Sequence, residues 1–190
     1  KDDIPGLESE EVAFLKKYSP SGEILYTKLI GTIRFDYAFD VEVDSSGSGV
    51  YVIGITRGDL NDNTNIRKEY PYWNQPGGNG WDDIFISKFD DSGEYGWTKL
   101  FGTSNNDRLI GSSIDSYDNL YLIGGTSGVF DDPNPIARVP GEHDFFSKFD
   151  SSGNLEWNLV NTEEGFSYSA LTISDDNYIY LVSQLPDQGS

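Results

Sequence analysis

Short runs in which apolar and polar residues alternate recur along the whole chain, and they are rich in Ile, Val, Tyr and Phe. Turn sequences separate these runs, with Asp at the start and Gly or Asn near the position that favours a left-handed backbone. Alternation with a period of two is typical of a strand with one buried face. No segment of about eleven or more residues shows the helical spacing of apolar residues. We therefore predict an all-β chain built from hairpins.

The hairpins belong to an internal repeat with a period of about 60 to 71 residues. Each repeat contains the pattern Phe-x-x-Lys-x-x-x-x-Gly, an aromatic residue four positions after the glycine, and a second hairpin with a recurring tyrosine. So many anchors at matching spacings exclude chance. The positions that we interpret as structural are Gly22, Gly93, Gly153, Trp97, Trp157, Tyr51, Tyr121 and Tyr180.

Four strands per repeat and three repeats give about twelve strands, which predicts a β-propeller-like fold of three four-stranded antiparallel repeats. We expect one repeat region over 1–190, with units at about 12–56, 82–126 and 144–183 and long loops at 57–81 and 127–143.

The order of inner and outer hairpins along the chain decides whether it can form complete blades by itself. If the strand at 41–44 is the innermost of its blade, the chain starts with an outer hairpin (13–30) and ends with an inner one (170–183). Known propellers have at least about four blades. We therefore expect part of a larger propeller or half of a dimeric one, completed by self-association or by the remaining blades of a longer chain.

The second unit carries the fullest form of the repeat. Asp83 through Trp97 reads Asp-x-Phe-x-x-Lys-x-Asp-x-x-Gly-x-x-x-Trp, and Gly-Thr at 102–103, Ile-Asp at 114–115 and Asn-x-Tyr-x-x-Gly-x-Thr at 119–126 follow. This pattern resembles the SBBP class of bacterial β-propeller repeat over roughly residues 12–183. The first unit departs from it at Ser19 and Tyr26, and the third at Ser174 and Gln184. The resemblance implies a secreted or cell-surface location and no single activity.

The charge of the chain removes several classes of partner. Thirteen Lys and Arg oppose 32 Asp and Glu, giving a net charge of −19 and a pI near 4.1. Because basic residues are not clustered, we expect neither nucleic-acid binding nor docking on anionic membranes. The longest apolar run, Val50 to Ile53, is too short for membrane insertion. Cys is absent, which excludes disulfides and thiol catalysis. Met is absent too, so we expect a processed protein or an excised fragment.

The long connections are expected on the face opposite the tight turns, where loops on a rigid scaffold usually bind ligands. Asp59, Asn61, Asp62 and Asn63 offer closely spaced carboxylate and amide oxygens, which suits calcium. The stretch 131–134 offers a similar set in the next unit. The alternative interpretation of both stretches is a polar loop capped by Asx turns. Calcium is therefore the one candidate cofactor.

The connection 57–81 also holds an aromatic cluster of Tyr70, Tyr72, Trp73 and Trp81. Such rings stack on sugars or bury themselves against a partner chain. The alternative interpretation is that they fasten a long loop onto its blade.

The remaining candidates recur or stand alone. Trp97 and Trp157 resemble the docking tryptophans of quinoprotein propellers, but their repetition favours blade-to-blade packing. A lysine recurs once per repeat as well, at Lys17, Lys88 and Lys148. His143, the sole histidine, stands next to Asp144 without further partners in sequence, which favours a loop residue over a catalyst. We assign no catalytic residue.

The leading hypothesis is a non-enzymatic, secreted or cell-surface propeller module for scaffolding or adhesion, with a protein or glycan partner and calcium as a stabilising ion. The Cys-free, acidic, turn-rich sequence motivates it. The alternative is a carbohydrate-binding propeller that uses the aromatic long-loop face. A third class is an enzyme, either a hydrolase or a quinone-dependent dehydrogenase.

Overall fold

The computed structural model describes residues 12–32, 35–58, 60, 82–103, 105–130, 138–161 and 167–184. These ranges contain twelve strands and no helix, so no helix long and apolar enough to cross a membrane occurs there. The strands are β1 (Ala13–Tyr18), β2 (Ile24–Ile30), β3 (Asp36–Val43), β4 (Gly49–Thr56), β5 (Asp83–Asp90), β6 (Tyr95–Phe101), β7 (Asp107–Ile114), β8 (Leu120–Gly128), β9 (Arg138–Phe149), β10 (Leu155–Asn161), β11 (Ser167–Ile173) and β12 (Ile179–Gln184).

All strand pairs are antiparallel, and they form four sheets. We call β1–β2 the N-terminal half-blade, β3–β6 the first full blade, β7–β10 the second full blade and β11–β12 the C-terminal half-blade. The predicted all-β, propeller-like fold class is confirmed. The order of the strands is the one expected if the 41–44 strand is innermost in its blade, since β7 contacts both β3 and β11 at one edge of the stack of sheets.

The tight turns explain why the repeat carries Asp and Gly. In the turn after β5, the Gly93 N–H donates to the Asp90 carbonyl (2.9 Å), and the Asp90 carboxylate accepts from the backbone N–H groups of Ser92 and Glu94. Gly93 has a φ of +81°, a left-handed conformation that glycine adopts without strain. Of the three inner hairpins, the first uses Gly47 there at a φ of +72°, and the other two use Asp118 and Asn177, both at a φ of +64°. These two residue types tolerate that conformation best after glycine.

Alternate residues of the central strands face different neighbours. On β4, Val50 and Val52 pack toward Leu15 of the N-terminal half-blade. Tyr51 and Ile53 pack the other way, toward the second full blade. Both faces of β4 are therefore covered, and all eight of its residues are buried. This explains why β4 is almost continuously apolar in sequence.

Candidate interaction face

The six tight turns lie at one end of the strands, and the long connections begin and end at the other. Arg57 follows β4 and Asp82 precedes β5, so they mark the two ends of the connection 59–81. Arg57 Nε donates to Asp82 Oδ1 (2.6 Å), and the guanidinium carbon lies 4.8 Å from the centre of the Phe35 ring. The Asp82 N–H donates to Asn106 Oδ1 (3.1 Å) in the next blade. The Arg57–Asp82 pair thus joins the two ends of this connection, and the Asp82 backbone ties them to the second full blade.

A second arginine holds the end of the next long connection. Arg108, on β7, donates through Nε to Glu142, and its Nη2 lies 3.7 Å from Asp144 Oδ1. Exposed ion pairs of this kind contribute about 0–1 kcal/mol each to stability. Their role here is positional, because each ion pair fixes a strand end on the side of the sheets where the long connections begin and end, which we call the rim.

Beneath this rim, a buried carboxylate anchors two of the connections that lead from one sheet to the next, β2 to β3 and β6 to β7. Asp107, the first residue of β7, accepts hydrogen bonds from the Thr103 N–H (2.6 Å) and the Thr103 hydroxyl (3.3 Å). Asp36, the first residue of β3, accepts from Thr32 in the same way, at 2.5 Å and 3.0 Å. The glycine before each threonine leaves room, since a Cβ at Gly102 would lie 2.5 Å from Asp107 Oδ2. The Gly-Thr step of the repeat therefore has a defined role.

Asp83 is the most perturbed group at this rim. Its side chain is buried, with 2% of the residue exposed. Burial raises the pKa of Asp83 to about 9, and the negative charges of Asp107 and Asp82 add to the effect. Burial also raises the pKa of Asp107 to about 6, against the opposing hydrogen bonds of Thr126 and Thr103. At neutral pH Asp83 is therefore protonated.

Most of the predicted ligand-binding positions lie outside the described residues. This applies to the proposed metal ligands Asp59, Asn61, Asp62 and Asn63, to the aromatic residues Tyr70, Tyr72, Trp73 and Trp81, and to the stretch 131–134. Within the ranges that the structure describes, no group of three or more His, Asp or Glu side chains is placed to hold a metal ion. His143 is half-buried and pairs with Thr126 in the β8–β9 register.

The recurring aromatic and glycine positions meet between blades. The Trp97 ring lies against Gly153, so closely that a Cβ there would overlap the ring. Tyr26 takes the equivalent place one interface earlier, where a Cβ at Gly93 would lie 3.0 Å from the ring. Within its own blade, Trp97 also meets Tyr51 edge to face, with 6.1 Å between ring centres. Trp157 meets Tyr121 in the same way at 6.0 Å.

Two of the three recurring lysines reach the turn of the next blade. Lys88 Nζ donates to the Tyr51 hydroxyl (2.8 Å) and to the Ser151 carbonyl (3.4 Å). Lys17 Nζ donates to the Asp91 carbonyl (3.0 Å) and also pairs with the Asp91 carboxylate. Lys148 pairs instead with Glu156 on its own blade, at 2.7 Å.

The sequence analysis missed the anchoring role of Asp36 and Asp107 and the Arg57–Asp82 pair. One signal for the anchors exists, because Thr32 and Asp36 have the same four-residue spacing as Thr103 and Asp107. No comparable signal marks the Arg57–Asp82 pair, since acidic residues abound and only the fold brings Arg57 to Asp82. Asp83 is the first position of the repeat motif in the second unit, but the sequence gives no sign that it is buried.

The blade-like sheets and the repeated contacts between them define a propeller-like repeat protein. No protein-family model matches the chain. A curated protein of Acanthamoeba polyphaga mimivirus, described as an uncharacterized WD repeat-containing protein, is 23% identical over 87% of this chain. The chain spans only 14% of that relative's length. The similarity therefore fits the propeller-like fold.

Proposed function

We propose that the chain is an SBBP-type propeller module that binds a protein partner on its long-loop face. The extracellular location and the adhesive or scaffolding role suggested by the sequence belong to the same proposal. A distant relative described as a WD repeat-containing protein supports a protein-interaction module of this kind. The recurrence of the Trp97–Gly153 contact as Tyr26–Gly93 supports the repeat class, because the motif positions do equivalent work in two interfaces.

The observation that carries the proposal is the fixed base of the long connections. Arg57 and Asp82 join the two ends of the connection 59–81, and Asp82 is in turn bonded to Asn106 of the next blade. The buried Asp36 and Asp107 anchors lie directly beneath. Loops held by a rigid scaffold are the usual place for recognition. The opposite face, by contrast, consists of short turns that hydrogen-bond to themselves.

The charge of the chain indicates the kind of partner. A net charge of −19 steers basic surfaces toward the module and repels acidic ones. We therefore propose a partner that presents a basic patch. Its association should slow as the salt concentration rises, because salt screens charges on a length of about 8 Å at physiological ionic strength.

A random peptide library displayed on phage tests the proposal. Peptides selected on the wild-type chain should be rich in Lys and Arg. They should lose binding when residues 61–80 are replaced by a Gly-Ser linker of equal length. The matched control is Tyr117→Ala, which alters an exposed side chain on the tight-turn face. Equal binding to wild type and to the loop variant, or loss of binding in the control alone, would place recognition elsewhere and overturn the proposal.

A glycan array separates this function from the lectin alternative. We expect a flat response from the wild-type chain. Specific binding to one glycan that Trp73→Ala abolishes would replace the protein-binding function with carbohydrate binding, because a ring stacked on a sugar is the contact such a substitution removes.

A further inference from the structure

The innermost strand of the first full blade carries a row of aromatic rings that the repeat does not predict. The rings of Phe35, directly before β3, and Tyr37, on β3, lie 4.6 Å apart between centres, and the Phe39 ring follows at 6.1 Å from Tyr37. The positions equivalent to 37 and 39 in the later repeats are Arg108 and Ile110, then Ser167 and Ser169. A residue that serves the blade recurs in every repeat, so this aromatic row has a role of its own.

The aromatic row faces the second full blade. Tyr37 lies opposite Ile55, and residues opposite each other share one side of the sheet. Ile55 belongs to the core cluster that also contains Leu109 of β7. A β-bulge at Phe39 leaves that residue without an opposite residue on β4. Tyr37 and Phe39 are 38% and 57% exposed, so a bound group can reach both rings.

The first ring of the row already holds a cation from the chain itself. The guanidinium carbon of Arg57 lies 4.8 Å from the centre of the Phe35 ring, while its Nε donates to Asp82. The negative face of an aromatic ring attracts a cation, and a planar guanidinium can stack there while it donates to a carboxylate. Ring and carboxylate thus act together at the outer end of the row.

Two carboxylates lie at the inner end of the row. Asp40 Oδ2 accepts from the Ser112 N–H (3.1 Å) and hydroxyl (2.8 Å), and Glu42 Oε1 accepts from the same hydroxyl (3.4 Å). Because a hydroxyl has a single proton, it cannot fully satisfy both carboxylates. Within the described part of the chain, neither carboxylate belongs to an ion pair, and Glu42 Oε2 accepts no hydrogen bond.

This pair of carboxylates lacks a neutralising charge. Burial raises the pKa of Glu42, and the negative charge of Asp40 adds to the effect. A cation beside the two carboxylates would oppose both causes. The equivalent positions of the second full blade are Gly111 and Ser113, so the paired charge is as particular to the first full blade as the aromatic row.

We propose that Tyr37, Phe39, Asp40 and Glu42, which we call the inner-strand site, bind an arginine side chain of the partner. The guanidinium stacks on the Phe39 ring and donates to Glu42, as Arg57 stacks on Phe35 and donates to Asp82. Arginine suits the site better than lysine, because a planar guanidinium stacks and forms directed bonds to carboxylates at the same time.

The inner-strand site deepens the proposed function and rests on it for the basic nature of the partner. β3 begins at Asp36, directly beneath the rim, so the row continues inward from the face on which we propose recognition. The net charge of −19 draws a basic segment toward this face, and the inner-strand site gives one of its side chains a defined place.

A fluorescein-labelled peptide with one arginine between Gly and Ser residues tests the inner-strand site. Fluorescence anisotropy at physiological salt, which screens unspecific attraction, should show saturable binding to the wild-type chain. The same peptide with citrulline, which keeps the shape of arginine and loses its charge, should bind at least about tenfold more weakly. A citrulline or lysine peptide that binds as tightly as the arginine peptide would overturn the assignment to a guanidinium.

Substitutions on β3 locate the binding. Phe39→Ala and Glu42→Gln should each weaken the arginine peptide by about tenfold, whereas Phe39→Trp should keep its affinity, since Trp is the strongest ring for a cation. Val41→Ala is the matched control for the ring, because Val41 is exposed but lies opposite Val52, on the other side of the sheet.

Glu23→Gln on an exposed turn is the matched control for the charge. Both controls should stay within about twofold of wild type, since each leaves the inner-strand site untouched. Circular dichroism should show that all variants keep the wild-type melting curve, because the substituted side chains lie outside the buried core. Equal losses in Phe39→Ala and Val41→Ala would overturn the proposal.

The phage-selected peptides separate failure of this inference from failure of the proposed function. Peptides that need residues 61–80 but bind Phe39→Ala as well as wild type would leave the proposed function standing and overturn the inner-strand site. An arginine peptide that needs Phe39 and Glu42, in a chain from which no loop-dependent peptide is selected, would support the inner-strand site and refute the long-loop face.

Discussion

Three aspartates near one rim do different work because their surroundings differ. Asp36 and Asp107 each accept two hydrogen bonds from the threonine four residues before them, which holds the crossing from one blade to the next. Asp83 is buried beside Asp107, and burial, aided by the negative charges of Asp107 and Asp82, raises the pKa of Asp83 to about 9. Acidic residues at this rim are therefore structural where they are buried, and they are available to a partner only where they are exposed.

Asp107→Ala should lower the free energy of unfolding by about 1–3 kcal/mol, because it leaves the buried Thr103 N–H without its acceptor. Urea unfolding followed by tryptophan fluorescence measures the change. The control is Asp175→Asn on an exposed turn, which should stay within about 0.5 kcal/mol of wild type. Equal effects of the two substitutions would show that the anchor contributes nothing.

Asp83 should make stability depend on pH. Its pKa is about 9 in the folded chain against 3.8 without burial, so the folded state holds a proton that the unfolded state releases. Stability is thus fully present below about pH 4 and declines as the pH rises toward 9. Asp83→Asn, which cannot ionise, should lose this decline and gain stability over wild type as the pH rises. Parallel unfolding curves for the two proteins between pH 5 and 9 would contradict this assignment.

At the scale of elements, two turn glycines allow the cost of backbone strain to be distinguished from the cost of lost packing between blades. Gly22 and Gly153 both have positive φ, 87° and 77°, but only Gly153 lies against a ring. Gly22→Ala should therefore cost about 1–2 kcal/mol from strain alone. Gly153→Ala should cost clearly more, because the new methyl group displaces Trp97. Equal losses of stability from the two substitutions, measured by thermal unfolding, would mean that the Trp97 ring moves aside at no cost.

The elements themselves were predictable from the sequence, whereas their long-range partners were not. Period-two alternation and the Asp-to-Gly turns predict the hairpins, since both signals are local. The recurrence of the lysine is visible in the sequence, but one acceptor of Lys88, the Ser151 carbonyl, lies 63 residues away. Asp82 and Asp83 are adjacent and identical in sequence, and only tertiary packing buries one and pairs the other with Arg57.

At the scale of the whole molecule, calcium should raise the melting temperature if the 59–63 cluster binds it. A ligand that binds only the native state stabilises it by about 2.7 kcal/mol at a hundredfold excess over its Kd. Asp59→Ala combined with Asp62→Ala should abolish the gain. Sodium chloride at matched ionic strength is the control, because screening of the −19 charge alone also stabilises the chain. An undiminished shift in the double variant would rule out this cluster as the site.

The repeat of the sequence and the sheet of the structure are half a unit out of phase. Residues 12–56 contribute β1 and β2 to one sheet and β3 and β4 to the next, and the following repeat does the same. Each repeat thus links two neighbouring sheets covalently, so unfolding one blade also disrupts the strands that the same repeats contribute to its neighbours. Heat should therefore unfold the sheets in a single calorimetric step, with equal van't Hoff and calorimetric enthalpies. Independent blades would instead unfold one after another.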